Sequence, residues 1–273
     1  MEELEKNNIL RENQRNRKKM TIIAIPIGII VLMIALVAVF NLPNASCFDE
    51  RQNGNETGID CGGSCVACGI KYARNLEIIG EVSILEVTSD AIETIVRVRN
   101  PNTEYGVKFD YQVKFLDSFG QIKDTVNAQS FIYPSSAKYL VIPKIEGKKS
   151  EIVKAEVIFN EESFQWFASN KTSKDLFGVY DVQTQFLEDA KNPGYLKVVG
   201  KINNKMSYNF SSVNMTILVY SKIGELLNAV ETQLDGLNSN TTEQFEYTWM
   251  THFPNLQQTN LNRVEIYPDA LME

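Results

Sequence analysis

Twenty-one consecutive residues, Met20–Phe40, carry no charge: MTIIAIPIGIIVLMIALVAVF. As a helix this run extends about 30 Å, the hydrocarbon thickness of a bilayer. It lacks the polar stripe that a soluble core helix of such length would present to water. Pro26 and Gly28 are poor in soluble helices but tolerated in membrane-spanning ones. Arg11, Arg15, Arg17, Lys18 and Lys19 precede the run, and the next charges after it are Asp49 and Glu50. Basic residues stay on the cytoplasmic side, so the N-terminus is expected inside and the bulk of the chain outside. A cleaved signal peptide is the competing reading. Its apolar core would be about 7–15 residues, closed by a small-x-small site. Asn44-Ala45-Ser46 is a weak site of that kind, and Asn44 stands where a lipoprotein signal before Cys47 wants an aliphatic residue. The expected division is a cytoplasmic tail over 1–19, a transmembrane signal anchor over 20–41, a cysteine-rich extracytoplasmic collar over 42–70, and β-sandwiches over 71–168 and 169–273.

Charge narrows the function classes. The chain of 273 residues has a net charge of −7. The tail before the apolar run is slightly positive, so the outer portion is more negative still. A nucleic-acid partner needs a basic footprint and is not expected. The one histidine, His252, excludes His-rich metal sites and leaves little for Ser-His or Cys-His catalysis. Beside Trp249 and Phe253 it reads as a packing residue at a strand end.

The four cysteines, Cys47, Cys61, Cys65 and Cys68, all lie in one short segment. Their even number, their clustering and the expected outer location point to two disulfides. Three connectivities remain open. A four-cysteine zinc site is the alternative: Cys65 and Cys68 have ligand spacing, but Cys47 has no close partner. Between the cysteines, Asp49, Asn53, Asn55, Glu56 and Asp60 offer oxygens on a glycine-rich loop. Two readings stand. Calcium takes six to eight such oxygens, and Asp and Asn also build turns by bonding nearby backbone. No other cofactor is indicated.

The order Cys47, Asp49, Asn53, Glu56, Thr57, Asp60, Cys61, Gly62, Gly63, Cys65, Cys68 resembles a short cysteine-rich motif of bacterial and archaeal surface proteins. The resemblance covers the collar and implies an extracellular setting rather than an activity. At Asn55 the motif usually has an aspartate, which removes one carboxylate from any calcium set.

Beyond Gly69 the pattern becomes alternation, the mark of half-buried strands. Ile92, Thr94, Val96 and Val98 share one face, with Glu93, Arg97 and Arg99 on the other. Phe109, Tyr111, Val113 and Phe115 alternate into the turn Asp117-Ser118-Phe119-Gly120. Val213, Met215, Ile217 and Val219 alternate into Ser221-Lys222-Ile223-Gly224. The turn glycines, like the strand ends Phe115 and Val219, are 104 residues apart. Asn100-Pro101-Asn102 and Asn203-Asn204-Lys205 precede the two strands, and a returning strand follows each turn. A period of about 100 residues is a domain duplication. The expected fold is all-β: two tandem antiparallel sandwiches of immunoglobulin-like size, after one transmembrane helix and a disulfide-rich segment. The halves resemble the Ig-like modules of the FxLYD and late-embryogenesis-abundant kind, through Phe115-Leu116-Asp117-Ser118-Phe119-Gly120 and, less closely, Val219 to Gly224. That resemblance implies binding or structural modules. Phe164, Trp166 and Phe167, between the halves, are expected in inter-domain packing rather than in an exposed patch.

No catalytic residues are indicated. There is no nucleophile elbow and no His-Glu-x-x-His, and Gly147-Lys148-Lys149-Ser150 lacks the upstream glycine of a phosphate loop. Six Asn-x-Ser/Thr sequons occur, at Asn44, Asn55, Asn170, Asn209, Asn214 and Asn240. The expected role is non-enzymatic. The chain is read as anchored in membrane lipid by one helix, with a protein or glycan partner outside, as a surface binding module or as an accessory subunit of an envelope complex.

Overall fold

The computed structural model describes residues 2–40, 46–187, 195–250 and 261–272. Contacts divide the chain into two compact units, residues 1–68 and 69–273.

In the first unit, helix α1 (Glu2–Phe40) contains the whole apolar run, with Pro26 inside it. The side chains described over 22–37 are all exposed. Taken over the described residues alone, no helix is long and apolar enough to cross a membrane. The membrane expectation therefore rests on the sequence.

The collar follows. Its disulfides are Cys47–Cys65 and Cys61–Cys68, so the two bridged loops overlap in sequence. All four sulfurs are spent, and no thiolate remains for zinc. Burial contributes little here: Phe48, Ile59 and Val66 are exposed, while Cys61 and Asp60 are buried. Cross-links, which restrict the unfolded chain, and polar turns supply the order instead. Gly62 shows how tight the turns are. Its φ is +80°, and a Cβ there would stand 1.9 Å from Thr57 Oγ1.

The short helix α2 (Cys68–Lys71) crosses the boundary, and the second unit is built mainly from antiparallel strands. β1 (Glu77–Thr88), β2 (Ala91–Arg99) and β5 (Ala137–Glu146) form one sheet in the order β1-β2-β5. β3 (Tyr105–Leu116), β4 (Ile122–Ile132) and β6 (Lys154–Ala168) form another in the order β4-β3-β6. The two sheets face each other across a shared core, with Ile92, Val96 and Val98 from β2 and Val107, Phe109, Val113 and Phe115 from β3. The alternation over 92–98 and 109–115 thus marks the inward faces.

A one-turn helix, α3 (Ser173–Leu176), leads into a second sandwich of the same plan. β7 (Phe177–Phe186), β8 (Leu196–Asn204) and β11 (Thr242–Trp249) make the sheet β11-β8-β7. β9 (Phe210–Ser221), β10 (Leu226–Leu237) and β12 (Leu261–Asp269) make the sheet β10-β9-β12. Strand for strand, β7 to β12 repeat the pairing of β1 to β6. The first strand of each sandwich even breaks register at the same point, after Ile79 in β1 and after Tyr180 in β7. A positive-φ residue, Gly80 or Asp181, makes each bulge.

The equivalence is sharpest at two fully buried asparagines, Asn100 and Asn204. Asn100 Nδ2 donates to the carbonyls of Tyr105 and Tyr133 at 2.8 and 3.2 Å, and its Oδ1 accepts from Asn102 N at 3.0 Å. Asn204 Nδ2 donates to the carbonyls of Tyr208, Leu237 and Asn238, and its Oδ1 accepts from Met206 N at 2.9 Å. Each clips the connection between its second and third strands, satisfying carbonyls that would otherwise be buried alone. They stand 104 residues apart, the spacing of the turn glycines. Both lie in the asparagine segments that precede the two alternating strands.

The sandwiches lie side by side. The outer faces of sheets β1-β2-β5 and β10-β9-β12 close on Leu85, Ile95, Val141, Leu218 and Ala229. Tyr139 and Tyr267 meet ring to ring at 5.2 Å. Lys138 Nζ pairs with Asp269 Oδ2 at 2.7 Å, both side chains nearly buried at 12% and 10% exposure. Tyr133 donates its hydroxyl proton to the Ala270 carbonyl at 2.9 Å and accepts from Met272 N at 3.1 Å. The aromatic trio divides between the cores. Phe164 and Trp166 pack on the first, whereas Phe167 packs on the second and meets Tyr133 edge-on. Only Phe167 fits the inter-domain expectation.

Candidate functional site

Each sandwich has two ends. At the near end the chain arrives: Arg74 N donates to Asn102 Oδ1 at 2.8 Å, beside the Asn100 clip. The near ends of the two sandwiches adjoin through Tyr133, which donates to the Ala270 carbonyl. At the far end of the first sandwich three loops meet: Gly147 N donates to Asp90 O, and Val153 N to Leu116 O.

Two equivalent turns form the tips of the far end. In the first, Gly120 N donates to Asp117 O at 3.0 Å and Asp117 N to Gln121 O at 3.0 Å. In the second, Gly224 N donates to Ser221 O and Ser221 N to Glu225 O, both at 2.9 Å. Gly120 and Gly224 take φ of +76° and +81°. This is the three-residue hairpin that needs a left-handed residue in last place. The first residue of each turn bonds the backbone with its side chain. Asp117 Oδ1 accepts from Phe119 N and Gln121 N, and Ser221 Oγ accepts from Glu225 N. Those backbone donors, led by Gln121, and the nearby Lys123 ammonium hold the Asp117 carboxyl below its usual range.

The residue each turn holds outermost is large and apolar. Phe119 and Ile223 are both 87% exposed. Ile122 and Val153 extend the apolar surface beside Phe119, at 55% and 53%. Lys148 and Lys149 stand on the neighbouring loop. A rigid turn presenting an uncovered apolar side chain supplies contact area at little entropic cost.

The collar residues are gathered in one loop system, and most of their oxygens serve backbone turns. Asp60 is buried and accepts from Asp49 N at 2.9 Å and Glu50 N at 3.0 Å. Asp49 accepts from Arg51 N and from Asn53 Nδ2. Glu56 accepts from Asn53 N, and Asn55 Oδ1 accepts from Ser64 N and its hydroxyl. Asn53 Oδ1 alone is buried without a hydrogen-bond partner. Among the described residues, the one His/Cys/Asp/Glu group close enough to hold a metal is Cys47, Glu56 and Cys65, and its two sulfurs are bonded to each other. His252, Phe253 and Asn44 lie outside the described residues.

Sequence reasoning missed Glu93. The alternation placed it on the polar face of β2, but that face is covered by the second sandwich. Burial pushes its carboxyl up to about 8. Ile95, an apolar residue between Glu93 and Arg97 on the same face, was the available signal.

No known protein family matches the sequence, and no curated protein matches it. Solved structures share only remote likeness. Red sea bream transglutaminase is 10% identical, over 70% of this chain and 29% of that one, with a TM-score of 0.21. A β-galactosidase homologue from Bacteroides fragilis is also 10% identical, over 68% and 34%, with a TM-score of 0.21. The tandem CBM22 domains of Paenibacillus barcinonensis Xyn10C are 8% identical, over 75% and 89%, with a TM-score of 0.15. The chain spans about a third or less of the two enzyme structures. At such scores these likenesses carry no functional argument.

Proposed function

We propose that this chain is a single-pass membrane-anchored surface protein, its N-terminus cytoplasmic, which binds a protein or glycan partner outside through the far-end tips of two Ig-like sandwiches. The uncharged run Met20–Phe40 and the basic residues before it support the anchor and its direction. The two disulfides suit an oxidising compartment. The observation that carries the binding role is the pair Phe119 and Ile223, equally exposed at equivalent turn positions. Neither side chain belongs to the core of its own sandwich.

The role is read as non-enzymatic from the sequence, whose single histidine, His252, leaves little for Ser-His or Cys-His catalysis.

The test is site-specific photocrosslinking in intact cells, with the crosslinker at 119, at 223, and at the exposed near-end position 243 as control. Discrete adducts from both tips but not from 243 are expected. Bare tips, or the same adducts from 243, refute the proposal.

A further inference from the structure

The four sequons within 69–273 fall together at the near end, and none lies at the far end. Asn170 is in the connection between the sandwiches. Asn209 immediately precedes β9, and Asn240 lies in the turn before β11. Asn240 N donates to Met206 O at 3.0 Å, and Ser239 N donates to Asn209 Oδ1 at 2.8 Å, so these segments touch. Asn170, Met206, Tyr208 and Met272 line an open depression of about 700 Å³.

We infer that Asn170, Asn209 and Asn240 are acceptors for N-linked glycan. All three are exposed, whereas Asn214 is half-buried inside β9, between Gln233 and Asp269. Asn240 occupies a turn at φ 54°, and Asn170 an irregular connection, the settings in which an acceptor reaches a transferase. At Asn209 the bond from Ser239 uses Oδ1, so it survives substitution of Nδ2. The depression offers Tyr208, Met206 and Met272 as an apolar floor for the ring of a first sugar.

The reaction is displacement without redox change. The amide Nδ2 forms a bond to C1 of a saccharide carried on a polyprenyl phosphate. The C1–oxygen bond to phosphate breaks, the phosphate leaves with the electron pair, and the amide gives up one proton. Glycans there would cover the near end and leave Phe119 and Ile223 as the uncovered surface.

This inference rests on the outward topology proposed above, and one sample separates the two. The chain is isolated from its native membranes and digested without reduction, and the peptides are analysed with site-localising fragmentation. The expected result is the Cys47–Cys65 linkage together with saccharide mass on Asn170, Asn209 and Asn240, lost site by site in N170Q, N209Q and N240Q. Linked cysteines with bare asparagines overturn the glycan assignment and leave the topology standing. Free thiols with bare asparagines overturn both. Equal modification at Asn214 shows that exposure does not select the acceptors and also overturns the assignment.

Discussion

Glu93 is a carboxyl in the seam between two sandwiches, and its removal should stabilise the protein at alkaline pH. It lies on β2 opposite Leu85 and two residues before Ile95, both in the inter-sandwich cluster. Among the described residues no ion pair engages it. Burial alone carries its carboxyl from 4.5 to about 8. At about 1.4 kcal/mol per pH unit, that displacement has a ceiling near 5 kcal/mol. Relaxation and water entering the seam leave an observable share on the order of 1–3 kcal/mol. The sign follows from linkage. Between pH 4.5 and 8 the folded state holds a proton that the unfolded state has released, so stability falls as pH rises through this window. Below it the carboxyl is neutral in both states and costs nothing.

Glu93→Gln keeps the shape and removes the charge. At pH 9 the variant should be more stable than the wild type by about 1–3 kcal/mol, and at pH 4 the two should coincide. Urea unfolding of the full chain in detergent, followed by tryptophan fluorescence, measures both points. Trp249 is well placed as reporter, since it packs on Tyr247 at 4.7 Å, whose hydroxyl is raised first by burial and then by the Glu93 charge. A variant with the wild-type pH slope, or one less stable at pH 9, refutes the argument.

The remaining predictions concern the clips, the seam and the collar. Asn204→Ala strands three carbonyls and one N–H and should cost about 2–4 kcal/mol by chemical denaturation, with Asn100→Ala close behind. Lys138→Met leaves Asp269 nearly buried with only Ser173 as partner. It should cost about 3 kcal/mol, and Lys138→Met with Asp269→Asn should recover part of that. In the collar, Asp60→Ala removes the acceptor for Asp49 N and Glu50 N and should speed reduction of Cys47–Cys65 in a thiol-trapping assay. Because the neighbouring oxygens already serve N–H groups, millimolar calcium should leave reduction of the wild type unchanged. A calcium-dependent slowing would establish the metal reading.

The inward faces were legible in the sequence because the side-chain period of a strand is fixed at two. Ile92 to Val98 and Phe109 to Phe115 therefore assign themselves. The turns were legible because only a left-handed residue closes a three-residue hairpin of this kind, and glycine stands at both positions. The seam was not. An outward face buried against a second domain mixes polar and apolar residues, as Glu93, Ile95 and Arg97 do, and alternation cannot distinguish it from a solvated face. The role of the collar oxygens was open for a related reason. Asp and Asn bind calcium and cap backbone with the same atoms, and only positions in space show Asp60 pointing at two N–H groups. The cysteine pairing likewise required geometry.

Side-by-side packing decides what the duplication presents. The chain reaches the second unit at the near end, and β3 then runs twelve residues to its turn, a reach of about 40 Å at the rise of an extended strand. β9 has the same length and the same sense, because Lys138 and Tyr133 bind the end of β12 that lies opposite the start of β9. Both apolar tips consequently lie on one side of the second unit. Sandwiches joined end to end would reach farther, but one tip would be buried at the junction. Two rigidly held sites on a common side let a partner with two matching patches gain the second contact at high effective concentration. On this argument Phe119→Ser and Ile223→Ser should each weaken capture at the opposite tip as well as their own, with folding unchanged. If each substitution affects only its own crosslink, the tips act independently and the shared surface is wrong.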